Sequence, residues 1–165
     1  MPVLSTSRIL AHWASQQPDR IAIDHEGEAV TWAQLDAHTN RLARAYQALG
    51  VRQDDFVTIA LPNSLEFFEA VFAAWKLGAT PQPISAKLPK HERDQIIELG
   101  KPSLIVGVAP GTYAQAASVA EGFAPDPALP DTPLPERTAA SLKAMTSGGS
   151  TGRPKLIVSA APAAW

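Results

Sequence analysis

Between Met145 and Lys155 the chain reads MTSGGSTGRPK, which places three glycines and four hydroxyl side chains in eleven positions and closes on a lysine. Glycine lets the backbone take positive φ and bring its N–H groups against a ligand, while hydroxyls and an ammonium add further donors. A polyanion is the natural guest. The candidate donors are Thr146, Ser147, Gly148, Gly149, Ser150, Thr151 and Gly152, through amides and hydroxyls, with Lys155 as the cationic, candidate catalytic group. One charge pair at about 4 Å and an effective dielectric near 20 is worth roughly 4 kcal/mol before desolvation, enough for Lys155 to matter to a rate.

The strand-to-helix phosphate loop, G-x-x-x-x-G-K-[ST], holds phosphate on helix N-terminal amides and magnesium on its last hydroxyl. This segment does not fit it. Five residues beyond Gly148 stands Arg153, the segment has no Gly-Lys pair, and Leu156 follows Lys155 where Ser or Thr is required. Ser141 to Met145 and Leu156 to Ser159 both read as short strands, so the loop is expected to join two strands and to work without a helix dipole. The plainer alternative is an ordinary hairpin connector.

Ser147-Gly148-Gly149-Ser150-Thr151-Gly152-Arg153-Pro154-Lys155 matches every defined position of [ST]-[SG]-G-[ST]-[ST]-G-x-P-K, the glycine-rich loop of the adenylate-forming enzymes. Thr31-Trp32-Ala33-Gln34-Leu35 is similar to that family's T-[YW]-x-[EQ]-L segment, and Trp75 to Ile84 (WKLGATPQPI) to its K-x-G-A-x-x-x-P-[IL] segment. All three occur in the family's order. Leu156 departs from the glycine often found after the loop lysine. The chain therefore resembles the acyl-CoA synthetases, aryl-CoA ligases, luciferases and peptide-synthetase adenylation domains.

That resemblance implies an α/β fold, a mostly parallel sheet flanked by helices, belonging to the large N-terminal domain of such an enzyme. It implies that residues 1–165 are the N-terminal portion of an AMP-binding domain, with the rest of that domain and a C-terminal subdomain absent. The implied activity is ATP-dependent activation of a small-molecule carboxylic acid to an acyl-adenylate, then thioester formation with coenzyme A, with ATP and Mg2+ required. The loop would grip the leaving pyrophosphate, and Arg153 would face solvent. Taken alone, the chain is expected to lack turnover. Two other readings stand beside this one: a nucleotide-dependent phosphotransferase, or a non-catalytic half-domain that self-associates or binds a partner through surface exposed by truncation.

Composition narrows the classes. Hydrophobic residues make up 45% and charged residues 18% of the chain, which suits a folded domain. A net charge of −2 offers no broad attraction to nucleic acid, so no nucleic-acid partner is expected. The apolar stretch from Phe67 to Trp75 is broken by Glu69 and falls short of the roughly 20 residues a membrane span needs. Without cysteine there is no disulfide framework or thiolate metal site, and the start Met1-Pro2-Val3 has no signal-peptide character, so the cytoplasm is expected. His12, His25, His38 and His91 lack ligand spacing, and no metal site is expected.

Helical and extended patterns alternate along the chain. Helices are expected from Ser7 to before Pro18, from Ala33 to Leu49 with Gly50 as its stop, from a Ser64 cap to Leu77, from Pro89 to Leu99, and from Thr112 to Ala120. Extended segments are expected at Arg20–Asp24 and Ala29–Trp32, joined at Glu26-Gly27, and at Phe56–Leu61, Thr80–Ile84 and Ser103–Val108. Pro81 and Pro83 confine the Thr80 segment to an edge. Five prolines between Pro125 and Pro135 mark residues 124–138 as a stiff surface loop. Phe67, Phe68, Val71, Phe72 and Trp75 form a stripe that reads as core in preference to an acyl-binding wall. Asp54-Asp55 reads as a solvated turn, not a catalytic pair.

Overall fold

The computed structural model describes residues 4–147 and 154–165, so Gly148, Gly149, Ser150, Thr151 and Gly152 of the candidate loop lie outside the described residues, as does Arg153. A single 3-10 turn at Thr6–Arg8 leads into α1 (Ile9–Gln16), followed by an antiparallel hairpin of β1 (Ile21–His25) and β2 (Glu28–Thr31). Next come α2 (Trp32–Ala48), β3 (Phe56–Ile59), α3 (Leu65–Lys76), β4 (Thr80–Pro83), α4 (Lys90–Gly100), β5 (Leu104–Val106) and β6 (Ala117–Val119). A second antiparallel hairpin, β7 (Ala144–Thr146) with β8 (Leu156–Val158), completes the order.

β4, β3, β5 and β6 form a parallel sheet in that order. Helices cover both faces. Leu42 and Tyr46 of α2 and Ala70, Ala73 and Ala74 of α3 pack with Val57, Ile59, Leu104, Val106 and Val119 on one face. On the other, Ile96 and Ile97 of α4 pack with Ala60, Ile84 and Ile105. The fold is the α/β arrangement expected from the alternating pattern. Its edge is explained by proline: Thr80 N donates to Asp55 O, just before β3, and Ile84 N to Ile59 O of β3, which turns the nitrogens of Pro81 and Pro83 to the other side of β4.

One expectation fails and another holds only in part. Residues 112–120 do not form a helix. Gly111 takes φ +77°, Thr112 Oγ1 donates to Ala109 O at 2.6 Å, and Ala117–Val119 pairs with β5 as β6. The exposed ladder of β5 requires a partner, and that requirement outweighs the weak helix preference of small residues. The stripe of α3 that reads as core is core only in part, with Val71 inside the main cluster. Ala70, Ala73 and Ala74 are fully buried, Phe67 and Trp75 flank the core, and Phe68 is 43% exposed. α3 lies wedged between α2 and the sheet, and alanine allows that close approach.

The T-[YW]-x-[EQ]-L segment proves to be a reciprocal helix cap. Thr31 Oγ1 accepts from Gln34 N at 3.3 Å, Gln34 Oε1 accepts from Thr31 N at 2.9 Å, and Leu35 goes into the core. Such a cap contributes about 1 kcal/mol and fixes where α2 begins.

α2 and α3 are joined by a buried ionic contact. Lys76 Nζ, on a residue only 4% exposed, lies 2.5 Å from Asp36 Oδ1 and 2.5 Å from Asn40 Oδ1, and also donates to Asp36 O at 3.3 Å. Burial pulls the Lys76 ammonium below its ordinary range, and the Asp36 carboxylate works against that pull. Because Lys76 occupies Asn40 Oδ1, the Asn40 amide nitrogen must turn outward, where it donates to Asp131 O at 2.7 Å. A carboxyl on the same helix pair behaves differently. Burial, reinforced by Glu66 and then Glu28, pushes Glu69 up to about 7. His38 Nε2 stands 3.5 Å away, and burial followed by Arg41 holds its imidazole below the ordinary value.

Lys76→Met leaves Asp36 buried without its cation, and urea denaturation should show a loss of about 3–5 kcal/mol. Combining it with Asp36→Leu should recover most of that loss, since the stranded charge is gone. Glu69 has a folded pKa of about 7 against an unfolded 4.5, so its contribution is complete below pH 4.5 and lost as pH rises through 7. The stability of Glu69→Gln relative to wild type should therefore climb between pH 4.5 and 7 and level off above it, as read by thermal melts across that range.

Candidate functional site

Antiparallel pairing of Ala144 with Val158, Met145 with Ile157 and Thr146 with Leu156 brings the two ends of the glycine-rich segment together. Ser147 N donates to Lys155 O at 2.9 Å, and Lys155 N donates to Ser147 Oγ at 3.0 Å, extending the pairing one step beyond the strands. Thr146 and Ser147 are half-buried at this mouth, and Lys155 is exposed. β8 follows Lys155 directly, so among the described residues the loop runs into a strand and not into a helix N-terminus. Three of the candidate donors are therefore gathered at one spot. An anion held there would draw on hydroxyls, amides and the Lys155 charge, with Ser147 Oγ able to turn its own proton outward while still accepting from Lys155 N. Pro154 looks across an open groove to Gln95, Glu98 and Leu99 of α4.

The hairpin pairs with none of the parallel strands. Its position depends on the segment before it, residues 124–143, which contains no helix or strand and is tied down by side chains. Arg41 Nη2 meets Asp131 Oδ2 at 2.6 Å, and Arg44 Nη1 donates to Pro130 O at 3.0 Å and Thr132 O at 2.8 Å. Gln53 Nε2 donates to Thr138 O at 3.3 Å, and Asp54 Oδ1 accepts from Ala140 N at 2.8 Å. Trp75 Nε1 donates to Leu142 O at 2.9 Å, and Thr80 Oγ1 to Ser141 O at 3.2 Å. Gly78, at φ +67°, completes the seat: a Cβ there would lie 2.8 Å from Arg137 Cβ.

These anchors are the residues that the sequence reading missed. Trp75 to Thr80 is legible as a motif, with Trp75 reading as core and Thr80 as the start of an edge strand, but not as anchors of a distant segment. A usable signal existed, because Asp36, Asn40 and Lys76 are polar residues placed on otherwise apolar helix faces, where an unpartnered group would be costly. Asp54 and Asp55 do form a turn. Both carboxylates are engaged by backbone amides, Asp55 Oδ2 accepting from Arg52 N at 2.8 Å, so the turn is stitched and not merely solvated. Of the histidines, His12 sits edge-on to Trp13 and Trp165, His38 faces Glu69, and His91 lies 3.9 Å from Glu92. Among the described residues no three His, Cys, Asp or Glu side chains cluster as metal ligands, and no helix is long and apolar enough to cross a membrane.

Known proteins share this architecture. Residues 10–162 match the family described as AMP-binding enzyme. The feruloyl-CoA synthase of Amycolatopsis sp is 32% identical over 151 residues, which is 86% of this chain and 30% of that protein. The 2,3-dihydroxybenzoate-AMP ligase of Bacillus subtilis (strain 168) is 40% identical over 88 residues, 53% of this chain and 16% of that protein. Among solved structures, the Mycobacterium tuberculosis fatty acyl CoA synthetase superposes with a TM-score of 0.76 at 25% identity, covering 93% of this chain and 34% of that one. The chain spans about a third or less of the length of these proteins. With the family match running over nearly its whole length, on a parallel sheet followed by a hairpin whose two strands flank the glycine-rich segment, the chain belongs to the AMP-binding, adenylate-forming enzymes.

Proposed function

We propose that these residues form part of an enzyme that activates a small carboxylic acid with ATP and passes the acyl group to coenzyme A. In the first step a carboxylate oxygen attacks the α-phosphorus of ATP and the bond to the bridging β-phosphate oxygen breaks, giving acyl-adenylate and pyrophosphate. In the second, the coenzyme A thiol attacks the acyl carbon, losing its proton, and AMP leaves. Little covalent help is needed from side chains in such a displacement; positioning and charge neutralisation dominate. The observation that carries the reading is the hairpin mouth, where Ser147 and Lys155 are held together by two hydrogen bonds at the ends of a glycine-rich loop.

In this reading Thr146, Ser147, Gly148, Gly149, Ser150, Thr151 and Gly152 donate to the β- and γ-phosphates, and Lys155 offsets the charge that builds on departing pyrophosphate. Mg2+ would accompany the nucleotide and share that neutralisation. Likeness to a feruloyl-CoA synthase over most of the chain supports coenzyme A as acceptor. The groove between Pro154 and α4 borders the same loop.

The test is acid-dependent pyrophosphate–ATP exchange in a polypeptide that carries these residues together with the rest of an adenylation domain. Release of AMP and pyrophosphate is expected, and release of ADP would make the protein a phosphotransferase instead. Lys155→Ala should lower the exchange rate by about 100-fold, the scale seen when one preorganised charge-stabilising donor is removed. An unchanged rate would take Lys155 out of the mechanism.

A further inference from the structure

We infer that Trp75, Gly78 and Thr80 are positioning residues for the adenylation step: they form a seat that fixes where the mouth of the glycine-rich loop, Ser147 with Lys155, stands relative to the parallel sheet. The inference rests on the reading of that loop as a phosphate grip, and it concerns residues on a different element, at the C-terminal end of α3 and the start of β4.

Three observations converge on it. β7 and β8 hydrogen-bond only to each other as strands, so the sheet gives the hairpin no ladder register. The segment that delivers β7 has no helix or strand over residues 124–143, so no regular element of its own sets a position. Beside the backbone bonds that tie Ala163 and Trp165 to Leu4, Thr6 and Ala139, a clamp of side-chain donors engages successive carbonyls just ahead of β7, Thr80 Oγ1 on Ser141 O and Trp75 Nε1 on Leu142 O. Gly78 lets Arg137 approach to a distance that any Cβ would block, and its carbonyl accepts from Asp54 N at 2.8 Å while Asp54 Oδ1 holds Ala140 N.

The exit of the hairpin is secured from the same side. Leu142 N donates to Ala161 O at 2.9 Å and Ser159 N to Lys143 O at 3.0 Å, so a shift at Ser141 or Leu142 moves both strands together. Thr80 is 2% exposed, and its hydroxyl lies between the start of β4 and Ser141 of the proline-rich strap, residues 124–143. Valine there keeps the shape and removes the donor. Because catalysis by a loop of this type depends on where its donors stand, misplacement by about 1 Å can cost up to about 100-fold in rate.

Two arms test the inference. In the present chain, hydrogen exchange is compared for wild type, Thr80→Val, Thr80→Ser and Thr80→Val combined with Trp75→Phe. The double variant should exchange the amides of Leu142, Ser147 and Ser159 at least about tenfold faster, while those of β3 and β5 keep their protection and Thr80→Ser behaves as wild type. Unchanged exchange in the hairpin overturns the inference, and so does an equal rise throughout the sheet, which would indicate general destabilisation. In a polypeptide with a complete adenylation domain, the double variant should lower kcat for pyrophosphate exchange about tenfold with KM for the acid unchanged, and Thr80→Ser should retain the wild-type rate. A wild-type kcat in a variant whose hairpin is loosened overturns the inference. Failure of the phosphate-grip reading shows separately, as a Lys155→Ala enzyme of undiminished rate.

Discussion

The contact between Lys76 and Asp36 is the constraint from which much of this structure follows. An ammonium and a carboxylate taken out of water between two helices are tolerated only if both are met at close range, so α2 and α3 cannot slide past each other without stranding a charge. Asn40 extends that constraint outward. Its carbonyl oxygen is claimed by Lys76 and its amide nitrogen turns to Asp36 and to Asp131 O, so the orientation of one buried amide carries the geometry of the helix pair to the proline-rich strap.

From the strap the same logic passes to the hairpin. A stretch with five prolines between Pro125 and Pro135 has few amide protons to spare, and a helix or ladder is closed to it. Its carbonyls remain free, and the protein engages them with side-chain donors: Arg41, Arg44, Asn40, Gln53, Trp75 and Thr80 all reach backbone oxygens between Leu129 and Leu142. Parallel strands supply a rigid base, while the element bearing the proposed chemistry is attached by directional polar contacts. Such an arrangement holds the hairpin mouth in place while leaving Lys155 exposed.

At the hairpin itself the electrostatics are simple. Among the described residues two strands flank the loop and no helix begins at its close, so a bound phosphate would rely on donors of the loop and on Lys155. Elsewhere the ionisable groups serve the fold. Glu69 and His38 face each other in a region where burial disfavours both charges, and Glu66 accepts from Gly122 N with both carboxylate oxygens at 3.0 Å, holding the turn after β6 against α3.

The sequence by itself determined the α/β class, most element positions, the edge placement of the proline-bearing strand and the joining of two strands by the glycine-rich loop. These depend on local periodicity, capping and the missing amide of proline, which act over a few residues. Tertiary structure decided the rest. β6 exists because β5 had an open ladder, which no property of residues 112–120 reveals, and alanines rather than aromatics face inward on α3 because α2 lies close against it. Lys76, Gly78 and Thr80 acquired meaning only when Asp36, Arg137 and Ser141 came beside them, because partners that far apart in sequence leave no periodic trace in either segment.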